Sequence, residues 1–79
     1  MQLFRGMSML MRFTTGKRGY QLRLERDLLG DLVMTRYWFG LKNNRHGSCM
    51  QVFLDEEDAH RQFERVVRMR LRNGYEICE

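Results

Sequence analysis

The 79-residue chain has room for one small domain, and its 43% hydrophobic and 30% charged residues give a globular balance that excludes intrinsic disorder. Its apolar runs, such as Met9-Leu10-Met11 and Leu32-Val33-Met34-Thr35, are cut by arginine or aspartate far short of the ~20 residues that a membrane helix needs. The net charge of +4 is carried largely by arginine, twelve of the fourteen cations, which points away from acidic or membrane-spanning classes and toward a phosphate-rich partner.

In chain order, Met1 to Ser8 has no clear period and is expected to fray. From Met9 to Thr14, apolar Met9, Met11 and Phe13 alternate with their neighbours, which predicts a strand with the methionine side toward the core. Gly16-Lys17-Arg18-Gly19 reads as a turn, and Tyr20 to Glu25 alternates cleanly enough to predict a second strand. Arg26 to Asp31 reads as a connecting loop. Leu32 to Leu41, rich in aromatic and β-branched residues, predicts the longest strand. Lys42 to Ser48 is polar, with Asn and Gly suited to positive φ, and predicts an exposed loop before a short strand at Cys49 to Phe53. These strands should pair antiparallel.

The last element is a helix at about 56–72, with Asp55 as its cap, acid in its first turn and Asn73-Gly74 as its stop. Ala59, Phe63, Val66, Val67 and Leu71 form the face expected to lie on the sheet. Arg61, Arg65, Arg68 and Arg72 make an arginine stripe that could track a phosphate backbone, but Glu57–Arg61 and Glu64–Arg68 pairing and the helix dipole explain most of it as an ordinary solvated face. The fold class is therefore α+β: an antiparallel sheet of four to five strands with one helix packed across it, in a single domain spanning 9–79.

Charge is unevenly distributed. Residues 1–48 carry nine cations against three anions, whereas 49–79 carry five arginines against seven carboxylates. With no charged segment, long apolar stretch and cleavage site at the N-terminus, a cytoplasmic protein is expected, with Cys49 and Cys78 as free thiols. His46, Cys49, His60 and Cys78 are too few and too scattered for a zinc site, and Gly16-x-x-Gly19 lacks the spacing of a dinucleotide or phosphate loop. Neither metal nor cofactor is expected. Cys49 near His46 is the nearest approach to a nucleophilic pair, but a strand cysteine behaves as a small hydrophobe, so no enzyme is predicted.

The order of several pieces is familiar. Gly19-Tyr20-Gln21-Leu22-Arg23-Leu24 is followed by the Asp27-Leu28-Leu29-Gly30 turn, a strand ending in Trp38, a basic glycine-containing loop and a strand ending in Phe53. An acidic helix start at Asp55-Glu56-Glu57-Asp58-Ala59 follows, and Arg70-Leu71-Arg72-Asn73-Gly74-Tyr75 closes the series. From about Phe13 to Tyr75 the chain resembles the WGR domain, a module named for a Trp-Gly-Arg motif and found in poly(ADP-ribose) polymerases and many bacterial proteins. In the naming motif Trp38 matches, whereas Phe39 stands at the Gly position and Gly40 at the Arg position.

The resemblance implies a module without an active site, in which the tryptophan packs against a terminal sugar or base of DNA. Phosphate contact would then fall to other cations. Arg36, Lys42 and Arg45 flank Trp38, and Arg36, two residues before it, shares its sheet face. Lys17 and Arg18 complete the basic set. Trp38 lies in phase with Leu32 and Met34 and could instead be core, with Tyr37 and Phe39 as the alternative aromatic platform. The expected function is nucleic-acid binding through Trp38, Arg36, Lys42, Arg45, Lys17, Arg18 and Tyr37. DNA is favoured over RNA, with weak sequence preference and affinity for ends or breaks. The competing expectation is a protein-interaction adaptor, or a homodimer, using the aromatic and methionine-rich surface of a chain otherwise monomeric or weakly dimeric.

Overall fold

A computed structural model describes residues 8–78; apart from Ser8, the segment expected to fray lies outside the described residues. The elements are β1 (Met9–Thr14), β2 (Arg18–Arg26), β3 (Leu32–Gly40), β4 (His46–Phe53), α1 (Glu56–Arg72) and β5 (Glu76–Cys78). The five strands form one antiparallel sheet in the order β4-β3-β2-β1-β5, with α1 across one face, the α+β architecture expected from the sequence.

Strand alternation builds the core. Phe13 of β1, Tyr20, Leu22 and Leu24 of β2, Leu32 and Met34 of β3 and Phe53 of β4 are all buried on the helix side. Ala59, Phe63 and Val66 of α1 meet them, while Met9, Met11 and Val67 pack at the margin. Burying each large apolar side chain contributes about 1.5–3 kcal/mol, so this single layer carries most of the fold's favourable energy.

Loop chemistry sets the registers. In the β2–β3 hairpin, Asp27 Oδ1 accepts from the amides of Leu29 and Asp31, both at 2.9 Å, and Gly30 adopts φ +85°. Register then runs from Arg26↔Leu32 to Arg18↔Gly40. The β1–β2 turn is tighter than Gly16 to Gly19. Thr15 Oγ1 accepts from the amides of Lys17 and Arg18, and β2 has already begun at Arg18. Gly19 belongs to the strand because the Phe39 ring of β3 occupies the space a Cβ would need. The β3–β4 loop is likewise shorter than expected, since the Gly40 amide donates to the Arg45 carbonyl at 2.9 Å and β4 opens at His46 rather than Cys49.

The helix follows its predicted bounds. The Asp55 side chain accepts from the Glu57 amide at 3.1 Å, capping the start. At the other end Tyr75 N–H donates to Arg70 O and Gly74 N–H to Leu71 O, with Gly74 at φ +90°, a Schellman stop. Two details differ from expectation. Leu71 is 45% exposed, because it lies about 80° around the helix from Phe63, whereas Arg70 falls nearly in phase with Phe63 and Val66. Arg61 pairs with Asp58 at 3.5 Å rather than with Glu57.

Connectivity fixes how α1 crosses the sheet. It leaves β4 beside Phe53, at the Leu32 end of β3, and delivers the chain to β5, where Glu76 pairs with Thr14 beside Gly19. The helix therefore runs diagonally from the β4 edge to the β5 edge, and the corner holding the far ends of β3 and β4 is left uncovered. Among the described residues, no helix is long and apolar enough to cross a membrane.

Candidate nucleic-acid interface

The uncovered corner is a cleft of about 620 Å³. Its floor is the helix-side face of the sheet, where Leu32 and Met34 are followed two residues apart by Arg36 and Trp38. Trp38 is 41% exposed, neither core nor free surface. One side of its indole lies against Tyr20, with centroids 6.5 Å apart and planes 17° from parallel. The ring extends over Gly47 of β4, where an added Cβ would stand 2.6 Å from indole atoms. Glycine at 47 thus lets the tryptophan lie flat across the strand and present its remaining surface to the cleft.

Arg36 is half-buried beside it. Its Nη2 donates to Cys49 Sγ at 3.6 Å, and the Tyr20 phenol lies near enough to interact with its charge. Burial opposes its charge, but the hydrogen bond to Cys49 and the charge interactions with Tyr20 and Cys49 outweigh that and raise its pKa above the ordinary arginine value. Tyr20 shows the complementary effect. Burial pushes its phenol above the ordinary value, while the Arg36 and Arg70 guanidiniums pull it back.

Arg70 closes the cleft from the helix side. Its guanidinium carbon lies 4.7 Å from the Tyr20 ring centroid and 5.5 Å from that of Tyr75, a cation held between two aromatic rings. Its Nε is buried without a hydrogen-bond partner. Lys17 and Arg18 enter from the β1–β2 turn and Arg45 from the β3–β4 loop, whose shape is held by Asn43 Oδ1 accepting from the Arg45 amide at 3.0 Å. Five cations therefore line one cleft, and none of its described lining residues is acidic. The three ion pairs among the described residues, Arg23–Glu25, Arg26–Glu56 and Arg61–Asp58, lie elsewhere and leave these five without a carboxylate partner.

Of the residues singled out in the sequence, Trp38, Arg36, Arg45, Lys17 and Arg18 are brought together here. Lys42 is on the adjoining exposed loop and does not line the cleft. Tyr37 is on the opposite sheet face and does not line the cleft; its ring centroid lies 5.5 Å from that of Phe39 and 6.4 Å from that of His46, both of which reach the cleft's edge. The helix arginines Arg61, Arg65, Arg68 and Arg72 are exposed. Cys49 and Cys78 are free thiols on opposite edge strands, and Cys49 Sγ contacts Arg36.

Arg70, Tyr20 and Tyr75 are cleft residues that sequence reasoning did not single out. A signal for Arg70 was present: the series Ala59, Phe63, Val66 places it at the next core-facing position, where a cation needs a special reason. Chemically the cleft offers four guanidiniums and one ammonium beside an aromatic surface, the combination that suits phosphate next to a planar base. No protein-family model matches the chain, and no curated protein or solved structure matches it.

Proposed function

We propose that the chain is a WGR-like, non-enzymatic nucleic-acid-binding module that takes backbone phosphate and a stacked base or sugar in this cleft. DNA is the favoured ligand on the strength of the WGR resemblance. The observation that carries the reading is the convergence of Lys17, Arg18, Arg36, Arg45 and Arg70 on one carboxylate-free cleft beside a 41% exposed Trp38. Five unpaired cations around so small a volume repel one another, and phosphate oxygens relieve that repulsion while releasing counterions from the nucleic acid.

Such contacts position a strand without reading its bases, so sequence preference is weak. An aromatic wall beside the cations favours ends, breaks or single-stranded stretches, where a base or terminal sugar is free to stack. Neutralising five phosphates gives a fall of log K with log salt at a slope of roughly −4 to −5 on duplex DNA and −3 to −4 on single strands.

Gel retardation with labelled blunt, nicked and single-stranded DNA tests the reading directly. The native chain retards DNA at low salt, and Lys17→Ala/Arg18→Ala/Arg45→Ala does not. Equal retardation by both, or a salt slope near zero, overturns the assignment to this cleft, and no retardation by the native chain favours the protein-adaptor alternative.

A further inference from the structure

We infer that the outer edge of β4 is a self-association surface, on which a second copy of the chain pairs antiparallel about a twofold axis at Met50. The inference does not rest on the nucleic-acid reading. β4 is an outermost strand of eight residues, and among the described residues nothing pairs with its outer backbone N–H and C=O groups. Proteins normally blunt such an edge with lysine, proline or a bulge. None of these is present between His46 and Phe53, and the register with β3 runs unbroken from Phe39↔His46 to Leu32↔Phe53. The other edge, β5, is three residues long and begins with Glu76, so it offers little to pair with.

The side chains along β4 suit a copy of themselves. On the face turned from the helix, Met50 and Val52 are 69% and 55% exposed, and the neighbouring β3 positions Val33, Thr35 and Tyr37 are uncharged. A twofold at Met50 sets it against the partner's Met50, and Ser48 against the partner's Val52, with no like charges opposed.

The charges at the strand's two ends single out a second copy over an unrelated extended peptide. Arg45 stands five positions before Met50 and Asp55 five positions after it. Antiparallel pairing about Met50 therefore brings Arg45, just before the strand, toward the partner's Asp55, just past its own strand, at both ends of the ribbon. A basic loop meets an acidic helix start twice, by symmetry. The twofold is perpendicular to the sheet, so both helices and both clefts lie on one side of a continuous ten-stranded sheet. An eight-residue ribbon buries less than the ~1,200 Å² of a standard interface, so the dimer is weak and concentration-dependent.

Sedimentation velocity of the full chain from ~10 μM to ~1 mM, alongside Met50→Lys, provides the test. The expected result is a reversible monomer–dimer equilibrium that Met50→Lys weakens at least about tenfold, since it opposes two ammonium groups across the axis. Met50 is exposed, so the lysine fits the monomer, and an unchanged far-UV spectrum and melting curve establish that the variant is folded. In a Cys49→Ser/Cys78→Ser background, mild oxidation of Met50→Cys is expected to give a covalent dimer, and Ile77→Cys on β5 is not. A single monomeric species at ~1 mM overturns the inference. So does a dimer that Met50→Lys leaves unchanged and that cross-links through Ile77→Cys instead.

Discussion

The helix-side face of β3 changes character along its length. Leu32 and Met34 are sealed beneath α1, Arg36 is half-buried, and Trp38, only two residues further, is 41% exposed in a cationic cleft. The same strand, face and two-residue period produce core at one end and candidate binding surface at the other. What differs is the cover. α1 starts over the β4 end of the sheet and stops at Gly74 on the β5 side, so the far corner of β3 and β4 stays open. The candidate site in so small a domain is placed by where the helix is absent as much as by which residues line the strand.

This contrast predicts that substitutions beneath the helix act on stability and substitutions in the open corner act on binding. The largest effect is expected from Phe63→Ala, which empties a fully buried site and should cost about 3–5 kcal/mol in denaturant unfolding, enough to unfold much of the population. Lys17→Ala/Arg18→Ala/Arg45→Ala should leave the unfolding midpoint nearly unchanged. In filter binding it should weaken DNA affinity by about a hundredfold and flatten the duplex salt slope by roughly 3.

Smaller effects divide the corner itself. Trp38→Ala should reduce single-strand affinity by about 1–3 kcal/mol while leaving the salt slope intact, since no charge is lost. Gly47→Ala sharpens that result: its methyl group would meet the indole, so it should displace Trp38 and weaken single-strand binding without touching an aromatic or a cation. Melting curves that fall as far for Trp38→Ala as for Phe63→Ala would erase the distinction between the two ends.

The smallest effect concerns pH. The folded-state pKa of Tyr20 is raised, chiefly by burial, so the folded chain holds the phenolic proton longer than the unfolded chain. Stability from this group is complete below the ordinary tyrosine pKa of about 10 and is lost as pH rises through the higher folded value. Stability measured through that window should decline, and Tyr20→Phe should flatten the decline.

Much of this was legible in local sequence. Alternation at Tyr20, Leu22 and Leu24 gave β2 its buried face, and Asp55 with Asn73-Gly74 gave α1 its ends. The strand starts at Arg18 and His46 were obscured because Gly19 and Gly47 read as turn residues, whereas each makes room in the sheet for a ring from β3. β5 is too short to show a period and exists through pairing with β1, some sixty residues earlier. Trp38, Arg36, Arg45, Lys17 and Arg18 were found by charge and proximity to the tryptophan. Their convergence with Arg70 depends on the diagonal path of α1, which no local pattern encodes. Tyr37 and Lys42 were near in sequence, but alternation and loop geometry turn them away from the cleft.

If the open corner at Trp38 receives nucleic acid, the fluorescence of this single tryptophan reports on it directly. Titration with blunt duplex, nicked duplex and single-stranded DNA at low and moderate salt should give a saturable quench. The quench should be strongest with ends or breaks and fall away with salt at the slope of about five phosphate contacts. An unchanged spectrum with every form of DNA, together with no retardation of labelled DNA on a gel, would contradict the account.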